Sequence, residues 1–250
     1  MRSLVLFPLL FASISLAAQH NFWPQGPADT LVAYEQWASG WSETHEQPYW
    51  VAYVLTAEEL DIPAQDRTGM GFRSDRSIRT KTPSDNDYKG SGYDRGHLSR
   101  AEYNKHSVDI YKECFMMSNI SPQIGVNFNR TGGDWYSLET LEKEIAYALD
   151  SLYAVSGPIF QDTLGHIGKN STITVPGYFY KAWLSPDAQH AIAIILRHDN
   201  VDDASLWDDA VTIDELEART GFDFFPALPE EREGVLEVGY WQQLVTQTKE

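Results

Sequence analysis

Tyr88-Lys89-Gly90-Ser91-Gly92-Tyr93-Asp94-Arg95-Gly96-His97-Leu98 is the stretch on which the reading of this chain turns. Its first glycines close a loop. From Tyr93 to Leu98 the chain then enters a strand or extended turn, which delivers an aspartate, an arginine and a histidine together. A neutral imidazole is a proton acceptor near working pH, because its unperturbed pKa is about 6.5. A guanidinium can hold phosphate oxygens in a two-pronged grip. Asn129 and Glu139 follow downstream. The Asn carbonyl suits a hard divalent cation such as Mg2+, which often takes only one or two protein ligands and keeps several waters. Taken singly each residue is a weak signal, since a histidine beside an arginine is more often a surface or core residue.

Upstream of this stretch, residues 61–92 are polar and contain Gly69, Gly71, Pro63 and Pro83, which predicts a long loop. Before it, Tyr49 to Leu55 is aromatic and β-branched and predicts a buried strand. Downstream, Trp135, Leu138, Leu141, Ile145 and Leu149 mark one face of a helix running to about Asp150, with Asp134 at the N-cap position. Strands are expected over 153–159, 172–184 and 190–197. Thr212 with Glu215 reads as a capping box opening a second helix. Phe222 to Pro229 reads as a loop that packs aromatic residues, with a short C-terminal helix after it. No repeat or change of composition divides the chain, so one domain mixing α and β elements is expected over 19–250.

The first 18 residues read as a cleavable leader. Met1-Arg2 is a short positive start, Leu4–Leu16 is apolar, and Ser15-Leu16-Ala17 offers a small-x-small cleavage pattern. The apolar run falls short of the roughly 20 residues that span a bilayer. Export is therefore expected, to a periplasm or outside the cell, with no stable membrane association. The lone Cys114 has no internal disulfide partner, and its apolar setting predicts a buried structural thiol.

The net charge of -17 argues at first against a polyanionic partner. Its distribution weakens that objection. Residues 67–105 hold nine Lys or Arg against five Asp or Glu, so a basic segment surrounds the histidine motif while the remainder is strongly acidic.

Taken together, the motif closely resembles the signature of the DNA/RNA non-specific endonuclease family, which includes endonuclease G. The resemblance extends to Ser118-Asn119-Ile120-Ser121-Pro122-Gln123, Phe128-Asn129-Arg130 and Trp135-Tyr136-Ser137-Leu138-Glu139. Glu46 to Tyr53 is similar to the family's first strand and Gly221 to Pro226 to its C-terminal portion. The resemblance implies an α+β, ββα-metal (His-Me finger) nuclease fold in a single domain, a mixed antiparallel sheet flanked by helices. It implies DNA and RNA as substrates. It implies His97 as general base and Asn129 as direct ligand of Mg2+, with Mn2+ as a possible substitute. Glu139 would touch the metal through water or orient its shell. For the family's upstream phosphate-gripping arginine the candidates are Arg67 and, as alternative, Arg73. Arg95 would hold phosphate or pin its loop, Asp94 would be a scaffold carboxylate, and Asn119 would shape the loop beneath the site. The spacing to the ligand asparagine is one residue longer than the family's, and Thr131-Gly132-Gly133 is inserted before the helix, which leaves Asn127 as the alternative ligand.

Other chemistries find little support. No HExxH pair is present, and one cysteine excludes a cysteine-rich zinc site. Neither a GxSxG elbow nor a GxxxxGK[ST] loop occurs. The remaining alternatives are a small-nucleotide phosphodiesterase of the same fold and a non-catalytic nucleic-acid-binding module.

Overall fold

The computed structural model describes residues 22–80, 82–170, 172–199 and 205–247. The expected leader at 1–18 lies outside these residues. In chain order the strands are β1 Thr30–Ala33, β2 Trp37–Ser42, β3 Gln47–Thr56, β4 Asp94–His97, β5 Ile120–Gln123 and β6 Ser151–Ile159. Then come β7 Gly165–Ile167, β8 Ile173–Val175, β9 Tyr178–Leu184, β10 Ala191–Arg197 and β11 Ala210–Val211. The helices longer than one turn are α1 Val108–Glu113, α2 Asp134–Leu149, α3 Ile213–Thr220 and α4 Val238–Gln247.

The aromatic run predicted as a strand becomes β3, near the middle of a seven-stranded sheet ordered β1-β2-β3-β6-β9-β10-β11 with antiparallel neighbours throughout. Side chains alternate across a strand. Val51, Tyr53 and Leu55 accordingly enter one core with Trp135, Leu138, Leu141 and Ile145 of α2. Trp50 and Ala52 enter a second core on the opposite face, with Leu216 of α3 and the aromatic residues Phe222, Phe224 and Phe225. Each fully buried side chain of this size stabilises the fold by roughly 1.5–3 kcal/mol, so both faces of the sheet are held by burial. Helix α4 packs Trp241 beside Trp183 in the first core.

Two expectations need correction. The strand expected over 172–184 breaks into β8 and β9, because Pro176 and Gly177 turn the chain: the Pro176 carbonyl accepts from His198 Nδ1 at 2.8 Å. Helix α2 begins at Asp134 itself, with Gly133 as its N-cap. A Cβ at Gly133 would stand 2.4 Å from the Phe128 backbone, so a glycine is needed for the chain to turn there. Helix α3 opens after Thr212 as expected, and of the expected capping box the structure shows the Thr212 half, Oγ1 accepting from Glu215 N at 3.1 Å. Among the described residues no helix is long and apolar enough to cross a membrane.

Candidate active site

Strands β4 and β5 form a separate hairpin in which Asp94 faces Gln123 and His97 faces Ile120. Ser121 Oγ bonds Gln47 Oε1 at 2.5 Å and so fastens the hairpin to β3. Gly96 is required by close approach, since a Cβ there would lie 2.0 Å from Gln123 Oε1. Asn119, fully buried, fixes the chain just after His97. Its backbone carbonyl accepts from Leu98 N at 3.0 Å and its Oδ1 from Ser99 N at 2.8 Å. Its Nδ2 donates to Ser99 O and Cys114 O, both at 2.9 Å. Asn119 thus shapes the loop beneath the site, as its motif implied. Cys114 is buried, and burial pushes its thiol up to about 12, which leaves it inert.

The His97 ring is packed by Phe72 and Phe115, with centroids 5.4 and 5.2 Å away. Nε2 is covered and meets no hydrogen-bond partner among the described residues, although part of the residue's surface stays open. Burial, reinforced by the charges of Arg67 and Arg100, pushes the pKa down to about 3. The imidazole is therefore neutral and able to accept a proton at neutral pH.

Asp94 is a scaffold carboxylate. Arg130 grips it with Nε at 2.9 Å and Nη2 at 2.8 Å, and Asn129 Nδ2 donates to it at 3.2 Å. These bonds, led by the one from Arg130, hold the Asp94 carboxyl below the usual range. Because its amide nitrogen is committed to Asp94, Asn129 keeps its carbonyl oxygen for another partner. Asn127 lies two residues earlier with φ 63° in the wide turn Gly125–Asn129 and is exposed; Asn129 is the asparagine that lines the cleft.

Glu139 comes from the second turn of α2. It is buried, and desolvation raises its carboxyl to about 7 even though Arg100 Nη1 stands 3.3 Å away. Burial outweighs that single, rather long ion pair.

One cleft of about 610 Å³ collects Arg67, Arg95, His97, Asn129 and Glu139, five of the six residues expected from the sequence. Arg73 is the exception. Its backbone bridges Met116, and its Nη2 donates to Lys112 O at 2.9 Å, so it stitches the loop to α1 away from the cleft. Arg67, exposed, lies over the Phe115 ring at 5.3 Å. Arg95 lines the cleft and also pins the loop before the hairpin. Its Nη2 donates to Asp85 O at 2.6 Å, and its Nε pairs with Asp85 Oδ1 at 2.6 Å, off the direction of a hydrogen bond. Arg100 and Arg130 also line the cleft and were not anticipated from the sequence. Arg130 stands in the motif Phe128-Asn129-Arg130 without a role of its own there, and Arg100 has only its nearness to His97 as a signal.

Asn129 and Glu139 fit a small hard cation. Asn129 offers an amide oxygen that is not drawn to Asp94, and Glu139 a desolvated carboxylate. Among the described residues, the group of three acidic side chains near enough to share an ion is Asp214, Glu217 and Glu233, outside this cleft. A metal in the cleft would rely on few protein oxygens and on water, which Mg2+ tolerates.

A histidine-bearing hairpin followed by a turn that presents Asn129 and a helix that presents Glu139, all opening on an arginine-lined cleft, defines the ββα-metal class of nucleases. Residues 20–231 match the DNA/RNA non-specific endonuclease family. The chain belongs to that family and is a phosphodiester-cleaving enzyme. It is 30% identical over 232 residues to a mitochondrial nuclease of Saccharomyces cerevisiae, covering 84% of this chain and 70% of the relative. It is 28% identical to nuclease C1 of Cunninghamella echinulata var. echinulata, covering 83% and 87%. The fold is similar to that in the crystal structure of an EndoG/EndoGI complex, with a TM-score of 0.76 and 26% identity, covering 86% of this chain and 92% of that one.

Proposed function

We propose that this protein is an exported, Mg2+-dependent endonuclease that cuts DNA and RNA with little regard to sequence. The observation that carries the reading is the neutral His97 sharing one open cleft with Asn129 and Glu139. In this mechanism the His97 imidazole takes a proton from the attacking water. The desolvated cage of Phe72 and Phe115 holds the ring in place and keeps it unprotonated before the reaction. A divalent cation held by Asn129, with Glu139 beside it, would neutralise charge on the phosphate and the departing oxygen. Asp94 orients the Asn129 amide, and Arg130 keeps Asp94 ionised. Arg67, which pairs with no carboxylate among the described residues, is the first candidate to grip phosphate.

Contacts to phosphate and metal carry little base information, so broad specificity follows. An open cleft suits a polymer better than a mononucleotide. The apolar leader and small-residue pattern near Ala17 support export.

The test is degradation of plasmid DNA and bulk RNA with Mg2+, compared with EDTA and with Mn2+. Cutting of both polymers that EDTA abolishes is expected. Hydrolysis of mononucleotide diesters alone would replace this reading with the small-nucleotide phosphodiesterase.

A further inference from the structure

We propose that Arg100 is a second phosphate-gripping residue of the cleft, held between Glu102 and Glu139 until a polynucleotide draws it away from one of them. This rests on the nuclease reading above. Arg100 follows His97 by three residues, and its base is rigid. Ser99 is bonded on both backbone groups by Asn119, and Arg100 O accepts from Tyr103 N and Asn104 Nδ2, both at 3.0 Å. From that fixed point the guanidinium reaches over the Tyr136 ring at 5.0 Å. Its Nη2 meets Glu102 Oε2 at 3.0 Å and its Nη1 meets Glu139 Oε2 at 3.3 Å.

The manner of holding separates Arg100 from the other paired arginines. Arg130 is clamped to Asp94 through two short hydrogen bonds, and Arg95 to Asp85 through two contacts of 2.6 Å. Arg100 divides its fork between two different carboxylates. Glu102 is half-exposed and also faces Lys143 at 3.7 Å, and such an exposed pair contributes little. A phosphate offers the same planar fork a stronger, doubly bonded partner. Location agrees with this role. Arg100 lines the same cleft as His97 and Arg67. A guanidinium on the same side as the base can reach a non-bridging oxygen of the phosphate being attacked.

The experiment measures binding rather than turnover. A fluorescein-labelled single-stranded oligodeoxynucleotide is titrated in EDTA with the full chain carrying His97→Ala, over a series of salt concentrations. Adding Arg100→Gln should weaken binding several-fold and flatten the slope of log K against log salt by about 0.7, the value of one lost phosphate contact on a single strand. Arg100→Lys should keep the slope while losing part of the affinity. Glu102→Gln, which removes a competing carboxylate, should tighten binding. An unchanged affinity and slope in Arg100→Gln would reduce Arg100 to a strut for Glu139 and Tyr136, and weaker binding in Glu102→Gln would overturn the displacement. Failure of the His97→Ala parent itself to bind at any salt would remove the nuclease reading together with this inference.

Discussion

Glu139 and Glu142 stand three residues apart on α2, both buried, and the protein treats them in opposite ways. Glu142 is saturated. Its Oε2 receives Lys181 Nζ at 2.9 Å and its Oε1 receives Trp183 Nε1 at 2.9 Å, while Tyr53 OH donates to the same carboxylate. Lys181 spends its other two protons on Tyr53 OH at 2.7 Å and Ser156 Oγ at 3.0 Å. Every charge in that network has its partners, and it ties α2 to β3, β6 and β9 beneath the first core. Glu139 has one arginine at 3.3 Å and a carboxyl raised to about 7. One helix thus carries a satisfied carboxylate where it is anchored and an under-satisfied one where it faces the cleft. Strained protonation at a cleft is a mark of function, and completed pairing in a core is a mark of architecture.

The largest effect expected on the cleft side comes from His97→Ala. Loss of the general base should slow plasmid cleavage by about 10²–10⁴-fold. A melting curve should show no comparable loss of stability.

On the anchored side, Lys181→Met leaves Glu142 buried and unpaired. Urea unfolding should show a loss of about 3–5 kcal/mol. Pairing it with Glu142→Leu should restore most of that, because replacing both ions with apolar groups removes the uncompensated charge. If the single and double variants are equally unstable, the network acts through something other than its charges.

Within the cleft, His97 and Glu139 differ in their response to pH. His97 is held neutral with a pKa near 3, so at saturating Mg2+ kcat/KM should persist well below pH 6.5. Glu139, near 7 without a cation, must lose its proton to serve a metal. The Mg2+ concentration needed for half-maximal rate should therefore rise as the pH falls below about 7. Rate measurements over a grid of pH and Mg2+ would separate the two, and an acid limb at pH 6.5 that excess Mg2+ leaves in place would contradict the neutral-His97 account.

The smallest effect lies away from both faces. Thr212→Ala removes the cap of α3, across the sheet from the cleft. It should cost about 1 kcal/mol in thermal unfolding and leave cleavage unchanged.

Much of this was legible in the sequence. The continuous aromatic and β-branched run at Tyr49–Leu55 and the three-and-four spacing from Trp135 to Leu149 identified β3 and α2, because a strand buried on both faces needs an apolar run and a helix buried on one face imposes that spacing. The motif residues came together in one cleft, Arg73 excepted. What stayed hidden depends on contacts distant in sequence. The strand β5 is only four residues long and contains Pro122, so it carries little strand signal of its own. Arg100 and Arg130 gain meaning only from Glu139 and Asp94. The Lys181–Glu142 pair joins residues 39 positions apart, and neither position announced that it would be fully buried.

The division of α2 into an anchored and a reactive carboxylate is tested most directly by Glu139→Gln, with kcat/KM at saturating Mg2+ and the melting temperature measured on the same preparation. Ionising Glu139 in its buried setting costs stability above pH 4.5, increasingly up to about 7, so a neutral amide relieves that cost at pH 8. The predicted result is cleavage reduced by about 10²-fold, on the scale of losing one charge-stabilising group, with a melting temperature unchanged or higher. Full activity with a lowered melting temperature would contradict it, and would make Glu139 a second structural carboxylate like Glu142.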